Sequence, residues 1–458
     1  MLNSLLLLLV SVSAIFGFTY DLSDEALTSI PFTIPVHTTE LILNDNRLTT
    51  VHQTALRDLN QLSNIWLKNN LFVEFPDLCI VGATLKTVTM DGNGMTVMDR
   101  NRLVCLVKLA GLSAAFSELT TLPDFSGMNT LSYVAISSKV SVIPPAHITG
   151  LSSLVALNLH SNQLTTLPDL SELSQLALLR LQMNALTDLS RLGDLPKLTE
   201  LNAFMNSLTE LPDFCKYGSH LNTLTISFNP ISSINQSRIS CLEQLQSFDF
   251  SGISVTDVSD LSFDSSRSSL QKLALAFNDI RSLPKFPNLT SPTDFHIGDC
   301  AHLHLPTDYF LGVNWDSLTQ LQIQNIGNTV LPDFSELGSS LQTLDLSSSK
   351  APYASASGIA RLSSLTSFTA KTVTFPFLPT TCPSAPSSLS VDVTGSFGVE
   401  LCDPKNAWLK MLQEEGATVK FTDQTCPPDS RMWSTLSTQG LIDAFKNIKA
   451  VTGKLRYN

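Results

Sequence analysis

Apolar residues recur along this chain in one order, Leu-x-x-Leu-x-Leu-x-x-Asn-x-Leu, with a period of about 23 residues. The clearest copies run over 154–169, 176–189 and 198–213. Sixteen copies can be aligned on their ninth position, at spacings of 22 to 26 residues, and eight of them carry Asn there. A repeat of this length predicts a solenoid of stacked coils. The ninth positions are Asn46, Asn70, Asn93, Ser117, Lys139, Asn162, Asn184, Asn206, Asn229, Ile253, Asn278, Cys300, Ile326, Ser349, Val373 and Ser396.

Within each copy, the apolar fourth and sixth positions lie on one face of a short extended segment, as Leu157 and Leu159 do. We expect this face to line the core and each strand to pair in parallel with the strands of neighbouring copies. Positions two, three, five, seven and eight then point outward. An Asn amide at position nine can satisfy backbone groups where the chain turns away from the strand.

This register resembles the extracellular leucine-rich-repeat proteins over roughly residues 35–425. The resemblance implies an α/β solenoid, a curved leucine-rich-repeat horseshoe with a parallel concave β-sheet and a convex side of turns and short helices. It also implies recognition of a protein or a glycan, usually on the concave face. The family usually has a cysteine-rich N-terminal cap, which this chain lacks, because its first cysteine is Cys79, inside the repeats.

The chain divides into five predicted segments. Residues 1–17 have the apolar run of a secretory signal peptide, too short to span a bilayer, with cleavage after Ala14 or Gly17; a first buried strand is the alternative. An N-terminal cap segment (18–34), the solenoid (35–400), a C-terminal cap (401–426) and a tail that could be helical (427–458) follow. No later apolar stretch is long enough for a transmembrane anchor, so we expect a secreted, extracellular protein.

The cysteines recur at equivalent positions of the register. Cys79 and Cys105 lie nine and twelve residues after two successive ninth positions, and Cys215 and Cys241 repeat these offsets. One geometry would therefore close both pairs, which predicts the bridges Cys79–Cys105 and Cys215–Cys241 on the convex side. Buried free thiols are the alternative. Cys300 occupies a ninth position, where we expect a free thiol.

The segment Leu401 to Cys426 resembles the C-terminal caps of the same family, with an early Cys, a Trp-Leu pair and a closing Cys. The resemblance implies a disulfide there, with Cys402–Cys426 favoured and Cys382–Cys402 as the alternative. A cap is physically required because the last coil would otherwise expose its core.

Charge and motifs narrow the possible functions. A net charge of −12 argues against a nucleic-acid partner. No catalytic motif has diagnostic spacing, so we expect neither enzymatic activity nor a cofactor. The nearest metal-like group is His302 and His304 with His296 and Cys300, which we interpret as repeat-filling residues with diverging side chains, His296 outward and His302 inward. The sequons at Asn235 and Asn288 are candidate glycosylation sites.

Five copies carry Pro-Asp on the expected convex side, at Asp77, Asp124, Asp169, Asp213 and Asp333. Proline forbids a continuing ladder, and Asp can accept hydrogen bonds from the amides of the next turn. The aspartates recur on alternate copies, roughly 10 Å apart for coils spaced at about 4.8 Å, so they cannot share a calcium ion. Turn capping is the better interpretation.

One region of the expected binding face combines aromatic and charged side chains, which are typical of interaction hot spots. Its candidate residues are His160, Arg180, Gln182, Glu200, Asn202 and Phe204. A smaller candidate patch holds Trp66 and Lys68. The apolar residues at position eight, Met183, Met205, Phe228 and Phe277, have two interpretations; packing at the edge between strand and turn is favoured over exposure.

These observations favour a secreted binding protein that recognises an extracellular protein or glycan through its concave face, in adhesion, matrix organisation or immune recognition. A structural or self-associating matrix component is one alternative, and an inhibitor of a secreted enzyme is another.

Overall fold

The computed structural model describes residues 17–216, 220–258, 261, 269–284, 286, 292–312, 315–328, 330–349, 362–371, 389–394 and 418–420. They belong to two compact units. Unit 1 holds the described residues up to Pro230 together with Ser237–Gln244. Unit 2 holds Ile231–Gln236 and the described residues from Leu245 onward.

Unit 1 is built on short parallel strands that pair in chain order, each with the next. Because each strand belongs to one coil, a single solenoid sheet results. Its strands are β1 (Phe18–Asp21), β2 (Thr38–Ile42), β3 (Asn64–Trp66), β4 (Thr87–Thr89), β5 (Gly111–Ser113), β6 (Tyr133–Ala135), β7 (Ala156–Asn158), β8 (Leu178–Arg180), β9 (Glu200–Asn202) and β10 (Thr223–Thr225).

Unit 2 repeats this architecture, with parallel pairing between successive strands. Its strands are β11 (Ser247–Asp249), β12 (Lys272–Ala274), β13 (Asp294–Gly298), β14 (Gln320–Gln324), β15 (Thr343–Asp345), β16 (Ser367–Thr369), β17 (Ser390–Asp392) and β18 (Thr418–Lys420). Strands β1 and β18 lie outside the repeat limits predicted at residues 35 and 400, so sheet pairing continues into both predicted cap segments.

Most strands alternate buried and partly exposed side chains, as positions three to five of the register require. In β8, Leu179 is fully buried and faces the core, while Arg180 is exposed on the opposite face. Leu181, at position six, is again fully buried. We call the side of the sheet that points away from the core the open sheet face.

The ninth-position asparagines form a hydrogen-bonded ladder under the turn that follows each strand. The Asn70 amide donates to the carbonyls of Leu67 in its own coil and Leu43 in the preceding coil, at 3.2 and 2.9 Å. Its carbonyl oxygen accepts from the N–H of Leu48 in the preceding coil, at 2.9 Å. Each ladder Asn thus satisfies buried backbone groups of two coils, which is why the pattern selects this residue.

Two ninth positions show how far the slot tolerates other residues. Cys300 is a buried free thiol whose Sγ lies 3.3 and 3.5 Å from the carbonyls of Gly298 and Leu275, so it imitates the Asn donor weakly. Burial raises the pKa of the Cys300 thiol to about 11, which keeps it protonated. Assigning Lys139 to this slot is wrong, because its side chain is 52% exposed and pairs with Glu118.

The residue at position eight adopts a left-handed backbone conformation in most described coils, including Asn69 (φ 51°), Met183 (φ 59°) and Phe228 (φ 55°). This conformation turns the chain while the sheet ladder continues. The N–H of Met183 still donates to the carbonyl of Phe204 in the next coil, at 2.8 Å. The backbone hydrogen bonds between successive coils therefore impose this conformation whatever the side chain is.

The side opposite the sheet is made of turns and very short helices. Among the described residues, two are α-helical, α1 (Gln53–Leu56) and α2 (Arg100–Val104). The 3₁₀ turns span Cys79–Val81, Pro145–Ile148, Phe214–Lys216, Gln236–Arg238 and Ser335–Leu337. Pro-Asp begins several of these segments, and the Asp carboxylate accepts from the N–H two residues later, as Asp169 does from Ser171 at 2.8 Å. Turn capping is thus the role of this aspartate.

Such capping predicts the response to acid. The backbone N–H and hydroxyl of Ser171 lower the pKa of the Asp169 carboxyl below its ordinary value. A lowered folded-state pKa contributes stability that is present above the unfolded value and is lost as pH falls through the folded value. We expect the contribution of Asp169 to the urea midpoint to be constant from pH 7 down to about 4 and to fall below that. The variant Asp169→Asn, which cannot titrate, should show a smaller fall; an equal fall would contradict the assignment.

The same shift recurs at other carboxyls that accept from a Ser or Thr two residues later, so the acid effect is shared among several turns. Burial opposes the shift and is the largest single influence on the pKa at three of them, Asp124, Asp188 and Asp392, but the hydrogen bonds and neighbouring positive charges outweigh it. At Asp21 the Ser23 hydroxyl and N–H dominate and lower the pKa.

Disulfides join adjacent coils on the side opposite the sheet. The structure contains Cys79–Cys105 and Cys215–Cys241, with Cα–Cα distances of 5.3 and 5.4 Å and a sequence separation of 26 in both. Equal offsets in the register therefore close with equal geometry. The predicted pairings of Cys402 with Cys426 and of Cys382 lie outside the described residues, as do residues 1–16, Asn288 and the tail 427–458.

An arginine three residues before the second cysteine reinforces each bridge. Arg102 donates to the carbonyl of Phe75, and Arg238 donates to the carbonyl of Leu211. Both carbonyls precede a proline, whose nitrogen cannot extend the ladder. Arg102 also pairs with Glu74 at 3.1 Å, and Arg238 with the equivalent Glu210 at 3.4 Å. The two cross-linked modules are thus duplicates at the level of individual contacts.

Candidate functional site

Strands β7, β8 and β9 bring the predicted binding residues together on the open sheet face of unit 1. The parallel register places Asn158, Arg180 and Asn202 side by side, and Leu178 beside Glu200. The residues two positions later continue the same rows beyond the strands. We call the group His160, Arg180, Gln182, Glu200, Asn202 and Phe204 the Arg180 patch.

An ion pair organises the patch. The Arg180 Nε donates to Glu200 Oε1 at 2.8 Å, and the two side chains are 44% and 26% exposed. The hydrogen bond that Arg180 donates to Glu200 raises the pKa of Arg180 above its ordinary value. A pair this exposed contributes about 0–1 kcal/mol to stability, so its main effect is to orient the guanidinium and cancel its charge. Sequence reasoning identified both residues but not their pairing.

His160 contributes a neutral ring. Burial, and secondarily the positive charge of Arg180, lower the pKa of His160 below its ordinary value, so the imidazole is uncharged at neutral pH. Its Nδ1 lies 3.0 Å from the hydroxyl of Ser161. Beside it, the Gln182 side-chain oxygen is buried and has no hydrogen-bond partner among the described residues. This part of the patch is polar without being charged.

Phe204 gives the patch its aromatic component. Its N–H donates to the side-chain oxygen of Asn202 at 3.0 Å, which fixes the chain direction at the end of β9. The Phe204 ring is half-buried and contacts the Phe228 ring edge-on, with centroids 5.4 Å apart. An oriented Arg, a neutral His and a held aromatic ring are a combination suited to protein recognition.

Trp66 and Lys68 form a separate surface. Trp66 ends β3 and is half-buried, and the Lys68 ammonium pairs with Asp91 at 3.1 Å. Four strand intervals separate β3 from β7, which is about 19 Å at the usual strand spacing. These two residues therefore do not extend the Arg180 patch.

The favoured interpretation of the apolar position-eight residues as packed is wrong. Met183, Met205 and Phe228 are 49%, 45% and 43% exposed, and Phe277 is 51% exposed. Their left-handed backbone turns the side chains away from the core at the end of each strand. A pattern of apolar letters does not carry this information, because it reports the residue type and not the backbone conformation.

Metal chemistry finds no support in the part of the chain that the structure describes, where no group of three potential ligands comes together. The prediction that His302 points inward is wrong: its side chain is 67% exposed, and its Nδ1 contacts Asp279. The turn that follows the strand places it at the surface.

Known proteins show similarity to this chain in sequence and in fold, although no family model matches it. The human leucine-rich repeats and immunoglobulin-like domains protein 3 is 24% identical over 154 residues, which cover 33% of this chain and 14% of that protein. A leucine-rich-repeat protein of Leptospira interrogans is similar in structure, with a TM-score of 0.69 and 21% identity over 88% of this chain and 95% of that one. The chain has the leucine-rich-repeat fold.

A third similarity is to a structure solved as a complex. The Toll–Spatzle complex of Drosophila matches with a TM-score of 0.56 and 16% identity, over 84% of this chain and 62% of that one. At such identities the likeness concerns the fold. The matched segment of the human relative is about one seventh of its length, so the activity of that whole protein does not carry over. None of the helices in the described ranges has the length and hydropathy needed to cross a membrane.

Proposed function

We propose that this chain is a secreted leucine-rich-repeat binding protein and that its Arg180 patch recognises an extracellular protein or glycan. The observation that carries the proposal is the convergence of an oriented Arg180, a neutral His160 and a held Phe204 ring on one rigid parallel sheet. The structural neighbours include the Toll–Spatzle complex, and this supports binding rather than catalysis as the role of the fold.

Secretion is supported by two features of different kinds. Disulfides persist in oxidising compartments, and this chain has two equivalent disulfides, each of which links two adjacent coils. Its N-terminal apolar run has the length of a secretory leader. In that compartment Asn235, which is exposed, is a candidate for glycosylation, and so is Asn288. A net charge of −12 supports a partner other than nucleic acid.

Affinity capture from the extracellular fluid of the source tests the proposal. The baits are the wild-type chain and the double variant Arg180→Glu with Phe204→Asp, compared for folding by circular dichroism. Hot-spot residues contribute about 2 kcal/mol or more each, so we expect the captured partner to bind the double variant at least about 30-fold more weakly. The matched control is Lys68→Glu, on the separate Trp66 surface, which should bind as the wild type does.

Equal retention of partners by the wild type and the double variant would contradict the proposed site. Capture of nothing but further copies of the chain, with a concentration-dependent sedimentation shift, would favour the self-associating matrix component instead. Loss of a captured enzyme's activity on binding would indicate the inhibitor.

A further inference from the structure

Three successive coils of unit 1 carry bulky apolar residues at position eight, whereas most other described coils carry small or polar ones. Met183, Met205 and Phe228 occupy this position after β8, β9 and β10. Phe116 and Phe277 also lie at position eight and are 75% and 51% exposed, but neither has a second bulky apolar residue at this position in an adjacent coil. The remaining positive-φ residues at this position tolerate a left-handed backbone or have short side chains: Asp45, Asn69, Gly92, Ser161, Gly252, Asp299, Asn325 and Ser348. We call Met183, Met205 and Phe228 the apolar ridge.

The fold does not account for the ridge. A left-handed conformation is unfavourable for a non-glycine residue, and Asn and Asp tolerate it better than Met or Phe do. The side chains do not recover this cost by full burial, since each remains more than 40% exposed. Bulky apolar residues in a strained conformation at the surface are therefore a reason to look for a function.

The ridge adjoins the Arg180 patch directly. Met183 and Met205 follow Gln182 and Phe204 in the chain, and the Phe228 ring contacts the Phe204 ring. The neighbouring charges cancel each other in the Arg180–Glu200 pair, and His160 is neutral at physiological pH. An occupant of this surface therefore meets an uncharged, apolar strip with a polar border, which favours uncharged apolar groups over ions.

The spacing of the ridge defines the shape of the occupant. Successive coils are about 4.8 Å apart, so three residues extend over roughly 10 Å. Apolar side chains two residues apart on an extended segment lie about 6.8 Å apart, so such a pair fits within this length. Methionine side chains adapt to varied apolar surfaces but offer a sugar few hydrogen bonds, which favours a peptide over a glycan.

Resting on the proposed function and deepening it, we infer that the apolar ridge binds an extended segment of a partner protein carrying apolar residues at positions i and i+2. The ridge holds the apolar side chains of that segment, and the Arg180 patch contacts its polar flank.

Panning a phage-displayed library of random peptides against the wild-type chain tests this inference. We expect enriched peptides with an apolar-x-apolar pattern. Their affinity should fall at least about 30-fold for the triple variant Met183→Ser, Met205→Ser, Phe228→Ser, as expected when hot-spot contacts are removed. Serine occupies the same backbone position at Ser161 and Ser348, so the variant has a precedent in this chain. The matched control Phe277→Ser changes an exposed position-eight residue of unit 2 and should leave the affinity unchanged.

Thermal unfolding separates binding from packing. If the ridge serves recognition, the triple variant keeps or raises the Tm while it loses the peptides. A lowered Tm would assign the ridge to packing and overturn the inference, as would a library without enriched apolar peptides or peptides that still bind the triple variant.

The Arg180→Glu, Phe204→Asp variant distinguishes this inference from the proposed function. If that variant loses the peptides or partners and the triple variant still binds them, the inference about the apolar ridge is wrong and the proposed role of the Arg180 patch is supported. Loss with the triple variant alone would establish the ridge and remove the Arg180 patch from the site.

Discussion

Replacing Asn162 with alanine will lower the free energy of unfolding by about 3 kcal/mol, because the amide satisfies buried backbone groups on two coils at once. Its Nδ2 donates to the carbonyls of Ile136 and Leu159 at 2.7 and 2.9 Å. Its oxygen accepts from the N–H groups of Ser138 and Val140 at 2.9 and 3.1 Å. Alanine leaves these donors and acceptors buried without a partner, and each such group costs roughly 1–3 kcal/mol before the structure relaxes.

Urea denaturation followed by circular dichroism measures this loss, and amide hydrogen exchange locates it. Exchange should accelerate first at Ser138 and Val140, whose N–H groups lose their acceptor. Gln163→Ala is the matched control, since the neighbouring side chain is exposed and should change the unfolding free energy by less than about 0.5 kcal/mol. Similar losses in both variants would mean that the ladder contributes little and that leucine packing alone sets the stability of these coils.

The features of the fold that depend on residue type at fixed spacing were predictable from the sequence. Leucines at positions four and six mark the buried side of most strands, and each of β2–β17 includes positions three to five of a copy of the register. The asparagines mark the turn because one amide side chain supplies both the donor and the acceptor that the buried backbone of two coils requires. The offsets of Cys79 and Cys105 from their ninth positions recur at Cys215 and Cys241, and the structure joins both pairs.

Features that depend on backbone conformation or on partners in adjacent coils could not be predicted in this way. A left-handed residue at position eight is not visible in the letters Met183 or Phe228, so their exposure was mistaken for packing. Lys139 was assigned to the Asn slot because the alignment assumed a constant coil, whereas its side chain is at the surface with Glu118. The Arg180–Glu200 pair joins residues of different coils, and the register alone does not say which long side chains meet.

The sequence predicts which residues lie near one another in the candidate site, but it does not predict the contacts that their side chains make. Position rules place Arg180, Asn202 and Phe204 on one face of neighbouring coils, and the structure pairs Arg180 with Asn202 in the strand register. What the site can bind depends on the cancelled charge of Arg180, the neutral His160 and the exposed ridge beside them. Each of these is a property of contacts, which follow from side-chain conformations that the repeat pattern does not specify.

The disulfide bridges should make equal contributions to stability. Cys79–Cys105 and Cys215–Cys241 close loops of the same separation, 26 residues, and sit in duplicated surroundings. Chain-entropy reasoning assigns a loop of this length about 3 kcal/mol. Replacing either pair with serine should therefore lower the free energy of unfolding of unit 1 by about 3 kcal/mol, and the two losses should add because the bridges lie several coils apart.

Urea denaturation of the two double variants and of the quadruple variant tests this expectation, with dithiothreitol added to the wild type as a covalent check. The matched control is Cys300→Ser, a buried thiol outside both bridges, whose response to dithiothreitol should equal that of the wild type. Unequal losses would show that the surroundings outweigh loop closure. In that case Arg102→Ala and Arg238→Ala would identify the difference, since each arginine binds the carbonyl before the proline in its own module. If dithiothreitol leaves the unfolding free energy of the wild type unchanged, coil packing alone holds these turns. The bridges would then protect against local opening and would not contribute to global stability.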